Sequence, residues 1–235
     1  MAYRIDQKLV VGVSTNALFD LRIEDEIFNS EGIEKYKAYQ KENRDIILEK
    51  GLAYPFVRRF LNINKLFPDQ RPVEVVLLSK NSPETGLRVF NSIQHYGLDI
   101  SRAAFTSGRS PASYIPAFNI SLFLSTNRED VVNSIHNNQP AGLILNTKIH
   151  DDENDPELRI AFDFDGVLVD DSAEQVYQKK HDLSEFHDHE VIHSSEPINP
   201  GLMHPFFQKL SYFQKLENKQ SKSDPNYKKV ALLPK

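Results

Sequence analysis

Residues 163–167 read Asp163-Phe164-Asp165-Gly166-Val167, and an apolar run, Ile160-Ala161-Phe162, leads into them. Two carboxylates two residues apart can divide the work of phosphoryl transfer. One attacks phosphorus in line and becomes an aspartyl-phosphate. The other protonates the leaving ester oxygen and afterwards activates water. Phosphoryl transfer is mostly positioning and charge neutralisation, so a carboxylate pair of this kind calls for a cation, and Mg²⁺ suits carboxylate and phosphate oxygens. The plainer alternative is a pair of aspartates that merely solvate a strand end. The apolar run before them and Gly166-Val167-Leu168 after them favour the chemical reading. A calcium loop with Glu174 as its last ligand fails, because Val167 and Leu168 occupy a ligand position and the glycine position.

Such a pair must sit beyond the carboxyl end of a strand, where parallel sheets place ligands. The spacing predicts strands over residues 9–13, 73–78, 120–124, 141–145 and 158–162, with Asp163 at the edge and Gly166 turning the chain away. Between them lie helical patterns. Residues 83–96 put Leu87, Phe90 and Ile93 on one face, with Pro83 near the start and Gly97 past the end, and residues 128–136 repeat the theme. Strand–helix alternation predicts an α/β fold, a parallel Rossmann-like sheet with helices on both faces, followed by a partial second unit. Residues 23–64 carry no strand signal and read as a helical insertion, with helices around 33–39 and 56–61. The acidic stretch 150–156 reads as a surface loop or linker between a domain at 1–150 and a second at 151–235. Residues 202–213 form an amphipathic helix whose apolar stripe faces a core, residues 217–229 read as a polar, mobile stretch, and a strand begins at Val230.

The chain has 235 residues, 40% of them hydrophobic, a net charge of −5 and no cysteine. It can bury a core, and it has no disulfide or thiol chemistry. The acidic balance argues against a nucleic-acid partner. The absence of an apolar N-terminal core or a long apolar run argues against a signal peptide or membrane span, so the expected location is cytoplasmic.

Several blocks resemble one known family. Phe19-Asp20-Leu21-Arg22-Ile23-Glu24-Asp25-Glu26-Ile27-Phe28, Asn91-Ser92-Ile93-Gln94-His95-Tyr96-Gly97-Leu98, Thr106-Ser107-Gly108-Arg109-Ser110-Pro111 and residues 162–171 are similar, in order, to cytosolic 5'-nucleotidases of type I, members of the haloacid-dehalogenase-like phosphatases. The resemblance implies Mg²⁺-dependent hydrolysis of nucleoside 5'-monophosphates, typically AMP. It makes Asp163 the nucleophile and Asp165 the acid/base, both beside the metal, and leaves a homo-oligomer open. The family form at this point is Asp-Gly-Asp-Ala-Val; Phe164 and Gly166 depart from it. The family continues into a Thr-Ala-Arg motif, a lysine and an acidic pair, so the sequence reads as a shortened form. A catalytically inactive homologue that binds nucleotide or a partner is the rival reading.

The N-terminal half resembles a decayed copy of the same unit. Ser14 and Asn16 stand where the aspartates would be, and Ser79 and Ser125 stand where later phosphatase motifs would be. Such a half is a scaffold, unless Ser79, Asn81 and Arg109 still bind an anion. Gly108-Arg109-Ser110-Pro111 could cradle phosphate, although a plain turn is the simpler reading. His181, His187, His189 and His193 match no closed zinc pattern and read as surface histidines.

Overall fold

A computed structural model describes residues 8–83, 86–147, 150–169, 199–223 and 231–232. The chain divides into two compact units, Met1–Leu158 and Arg159–Lys235.

Unit 1 is built on a parallel sheet. Its strands are β1 (Leu9–Ser14), β4 (Val73–Ser79), β5 (Arg102–Phe105), β6 (Ile120–Ser125) and β7 (Ala141–Leu143), in the spatial order β5-β4-β1-β6-β7. A short antiparallel pair, β2 (Phe19–Asp20) with β3 (Glu49–Lys50), stands apart. The helices are α1 (Thr15–Leu18), α2 (Arg22–Glu31), α3 (Ile33–Glu42), α4 (Tyr54–Leu66), α5 (Gly86–His95), α6 (Tyr114–Ala117) and α7 (Arg128–His136). All seven residues of β4 are buried, Glu74 included, and so are Leu9, Val10, Val11 and Val13 of β1. Strands without a solvent face need helices on either side, as parallel sheets do. The strands predicted near residues 9, 73 and 120 therefore stand, each one residue longer at its carboxyl end, and β7 is shorter than predicted.

The predicted face of α5 is rotated. Leu87 is 60% exposed, whereas Arg88, Val89, Ser92 and Ile93 are buried. The cause is a buried charge. Arg88 Nη1 donates to Glu24 Oε1 of α2 at 2.5 Å and to Gln40 of α3 at 3.4 Å, and its Nε donates to the Ile46 carbonyl at 2.8 Å. Ser92 receives no apolar neighbour's role either; its Oγ accepts the Leu48 N–H at 2.9 Å. The helical insertion is thus fastened to the sheet domain through polar anchors.

The acidic stretch is not a free linker. Arg58 of α4 donates to the carbonyls of Glu153, Asp152 and Asp155 at 3.0, 3.1 and 3.2 Å. Arg59 pairs with Asp151 at 2.6 Å, and Lys50 pairs with Glu153. Two adjacent guanidinium forks supply enough donors to hold a loop by its backbone, which an isolated carboxylate count does not reveal.

β8 (Leu158–Arg159) straddles the boundary between the units, and in unit 2 it is followed by irregular chain to Asp163, a single wide π-type turn at Phe164–Leu168, α8 (His204–Ser223) and β9 (Ala231–Leu232). The strand predicted over 158–162 stops at Arg159. A strand persists only where a neighbour supplies its ladder, and among the described residues the one strand beside β8 is the two-residue β9. Phe206, Leu210 and Phe213 of α8 are buried as predicted. Glu217, expected to open the polar stretch, is buried within the same helix, which runs on to Ser223. The four histidines His181, His187, His189 and His193 lie outside the described residues.

Replacing Arg88 with Met leaves Glu24 buried without its cation. Loss of about 3–5 kcal/mol of unit 1 stability is expected in urea denaturation, with much of it recovered in the Arg88→Met/Glu24→Gln double variant. A loss below about 1 kcal/mol would show that the pair does not anchor the insertion.

Candidate functional site

The aspartate segment is positioned from within unit 2. Phe162 packs edge-on against Phe206 and Phe207, with ring centroids 6.1 and 5.6 Å away. The turn after it is clamped to the start of α8. Gly201 N–H donates to the Leu168 carbonyl at 2.9 Å, Met203 N–H donates to the Val167 carbonyl at 3.2 Å, and Val169 bridges Pro200. Gly166 has φ +70°, the left-handed conformation in which glycine avoids a Cβ clash. Gly201 is required for a different reason: a Cβ there would lie 2.5 Å from the carbonyl oxygens of Val167 and Val169. Asp163 is exposed at the mouth of this turn. It follows irregular chain rather than a strand end, so the expected edge placement is not what the structure shows. The side chain of Asp165 lies outside the described ones.

Unit 1 has its own candidate site. The chain leaves β1 for β4 and β5 on one side, then crosses to β6 and β7 on the other, so β1 and β6 flank the switch point. Above these strand ends is a cavity of about 720 Å³. The three strands that feed it end alike: Ser14-Thr15-Asn16, Ser79-Lys80-Asn81 and Ser125-Thr126-Asn127. Ser79 Oγ accepts the Asn81 N–H at 3.2 Å and Ser125 Oγ accepts the Asn127 N–H at 3.0 Å. Asn127 Oδ1 caps α7 by accepting the Asp130 N–H at 3.0 Å. Lys80 Nζ pairs with buried Asp130 at 2.8 Å. Asn16 donates to Asp25 at 2.7 Å. Burial of one side of Asp25 pushes its carboxyl above the usual range; Glu24 adds to this, and the Asn16 amide opposes it.

The predicted residues therefore fall in two places. Ser79 and Asn81 line the cavity of unit 1 together with Ser14, Asn16 and Ser125. Arg109 is exposed and is not among the lining residues. Its N–H closes a turn on the Thr106 carbonyl at 3.2 Å, and the Gly108 N–H is engaged by the Lys80 carbonyl at 2.7 Å. Gly108-Arg109-Ser110-Pro111 is thus a turn whose first two N–H groups face the chain itself. Thr15, Lys80, Asn127 and Asp130 went unremarked in the sequence. Their signal was the thrice-repeated Ser-X-Asn at strand ends, legible once those ends are placed side by side.

The five-stranded parallel sheet flanked by helices defines a Rossmann-like α/β protein. A 5'-nucleotidase family model matches residues 1–233. Cytosolic 5'-nucleotidase 1B of Homo sapiens is 32% identical over 212 residues, covering 88% of this chain and 35% of the human protein. The chain belongs to the 5'-nucleotidase family, and it spans about a third of the length of that relative. No solved structure matches it. Among the described residues no helix is long and apolar enough to cross a membrane.

Gly201→Ala should open the clamp on the aspartate turn. Amide exchange at Met203, whose N–H bonds Val167, should accelerate about tenfold or more, equivalent to about 1.4 kcal/mol of lost protection. Unchanged protection would mean that the turn is held by other contacts.

Proposed function

We propose that the chain carries the nucleophile and acid/base of a Mg²⁺-dependent phosphohydrolase acting on nucleoside 5'-monophosphates of the AMP type. The observation that carries this reading is the Asp163–Asp165 pair on a clamped turn, with the Asp163 side chain exposed. Family membership supports the substrate class. A carboxylate oxygen of Asp163 attacks phosphorus, the ester P–O bond breaks, and the departing nucleoside oxygen takes the proton from Asp165. Asp165 then accepts a proton from water as that water attacks the phosphorus of the aspartyl-phosphate. Phosphate leaves and Asp163 is restored as a carboxylate.

The donor set suits magnesium. Asp163 and Asp165 offer only hard carboxylate oxygens, and Mg²⁺ is commonly held by one or two carboxylates together with phosphate and water. Held at this turn, the ion would neutralise the charge of the transferring phosphoryl group. A second reading is nucleotide binding without turnover. It is favoured by the irregular chain ahead of Asp163, since catalytic groups set on loops are held less closely than those on strands.

One assay separates the two. Phosphate release from AMP by the 235-residue chain is expected with Mg²⁺ and not after chelation. Asp163→Asn should fall to background, and Asp165→Asn should fall by about 10²–10⁴-fold. Wild-type activity that survives Asp163→Asn would overturn the assignment of the nucleophile. An inactive wild type that still binds AMP would select the second reading.

A further inference from the structure

The unit 1 cavity retains the place of a phosphate site but not its chemistry. Phosphate cradles are made of free backbone N–H groups and excess positive charge. Here the N–H groups of Asn81, Asn127 and Asp130 are bonded to side chains of their own loops, and those of Ser107 and Gly108 are bonded to the Asn81 and Lys80 carbonyls. The charged side chains lining the cavity, among the described residues, are Asp25, Lys37, Lys80 and Asp130, which balance. Lys80 is paired with Asp130, and Lys37 lies 3.5 Å from Glu34. A phosphate dianion would meet two carboxylates and no unpaired cation.

The floor instead holds hydroxyls. Thr15 is 1% exposed, and its Oγ1 has no hydrogen-bond partner; neither does the buried Oγ of Ser14. Ser14 stands at the N-cap of α1 yet caps nothing, so the ordinary reason for a serine there is missing. A buried hydroxyl without a partner costs about 1–3 kcal/mol, a cost that a ligand can remove. Ser79 and Ser125 use their oxygens to accept N–H groups, which leaves each hydroxyl hydrogen to donate. At the rim, half-exposed Phe28 meets Tyr36 edge-on at 5.7 Å, and Ile33 is exposed beside them. The rim gives a flat apolar surface on which a ring can stack. Cavities of a few hundred cubic ångströms, roughly 300–1,000 Å³, are the usual size for small-molecule ligands.

From the unpartnered hydroxyls, the balanced charge and the aromatic rim together, we infer that unit 1 binds a neutral ring-bearing polyol, a nucleoside without its phosphate. Its ribose hydroxyls bond the Ser14–Thr15 floor and its base lies on Phe28. The choice of a nucleoside among such polyols rests on the nucleotidase reading. The neutrality of the ligand does not. On this inference the strand ends of unit 1 hold the product class of the proposed reaction, not a second catalytic centre.

The test is a ¹⁵N NMR titration of the whole chain in the Asp163→Asn background, with adenosine, AMP and inorganic phosphate as probes. Adenosine should shift the amides of Thr15, Asn16, Asn81 and Asn127 saturably, and phosphate should not. Thr15→Val should weaken adenosine at least tenfold without lowering the melting temperature, because it deletes a hydroxyl that has no partner. Thr15→Ser should retain binding. Phosphate moving these amides as strongly as adenosine, or AMP binding them more tightly than adenosine, would overturn the neutral-ligand inference. So would adenosine leaving them unmoved, or Thr15→Val leaving its affinity unchanged. Phosphate release by the wild type is read separately. Turnover with unmoved unit 1 amides sinks this inference alone, and moved amides in a protein without turnover sink only the catalytic reading.

Discussion

Strand β1 is hydrogen-bonded to β4 along one edge and to β6 along the other, and none of Leu9, Val10, Val11 or Val13 reaches solvent. A strand enclosed on four sides leaves its carboxyl end as its opening to water. The hydroxyls of Ser14, Ser79 and Ser125 are therefore gathered where the three innermost strands stop. The same enclosure dictates the helices. Val76, Leu78, Ala104, Ile115 and Phe123 form one contiguous cluster with Val10, and such a cluster stays dry only beneath packed helices.

The helical insertion shows what happens when a polar sequence must be held to that core. α2 and α3 bury little apolar surface of their own, and Ile23, Phe28 and Ile33 remain exposed. They are fixed instead by Arg88, which reaches from α5 to Glu24, Gln40 and the Ile46 carbonyl. A guanidinium with several acceptors is well suited to this, because each bond removes a desolvation cost that a single pair would leave. The acidic stretch after β7 follows the same logic from the other side, its carbonyls gathered by Arg58 and Arg59. Both devices place charge where sequence patterning alone reads insertion and linker.

Unit 2 relies on a smaller set of constraints. The aspartate turn is held by ring contacts of Phe162 and by two backbone hydrogen bonds to the start of α8, with Gly166 and Gly201 allowing the close approach. The aspartate pair thereby depends on a helix some forty residues later in the chain, and its geometry is tertiary even though the pair lies within five consecutive residues.

The sequence by itself determined β1, β4 and β6 of unit 1, because runs such as Val73-Glu74-Val75-Val76-Leu77-Leu78 are too apolar and too β-branched to do anything but fill the middle of a sheet, whereas the shorter strands β2, β3 and β5 carry no such run. It determined the family as well, through blocks whose order along the chain survives. The pair Asp163 and Asp165 was legible as a candidate site for the same local reason. Only the tertiary structure decided which face of α5 points inward, since the buried charge of Arg88 outweighs the apolar pull of Leu87 once Glu24 is near. Only it decided that the run before Asp163 does not continue as a strand, because a ladder is a property of two chains' segments and not of one. And only it set the three Ser-X-Asn ends side by side. Strand order is fixed by long-range packing, so residues more than a hundred positions apart become one surface that no local pattern can announce.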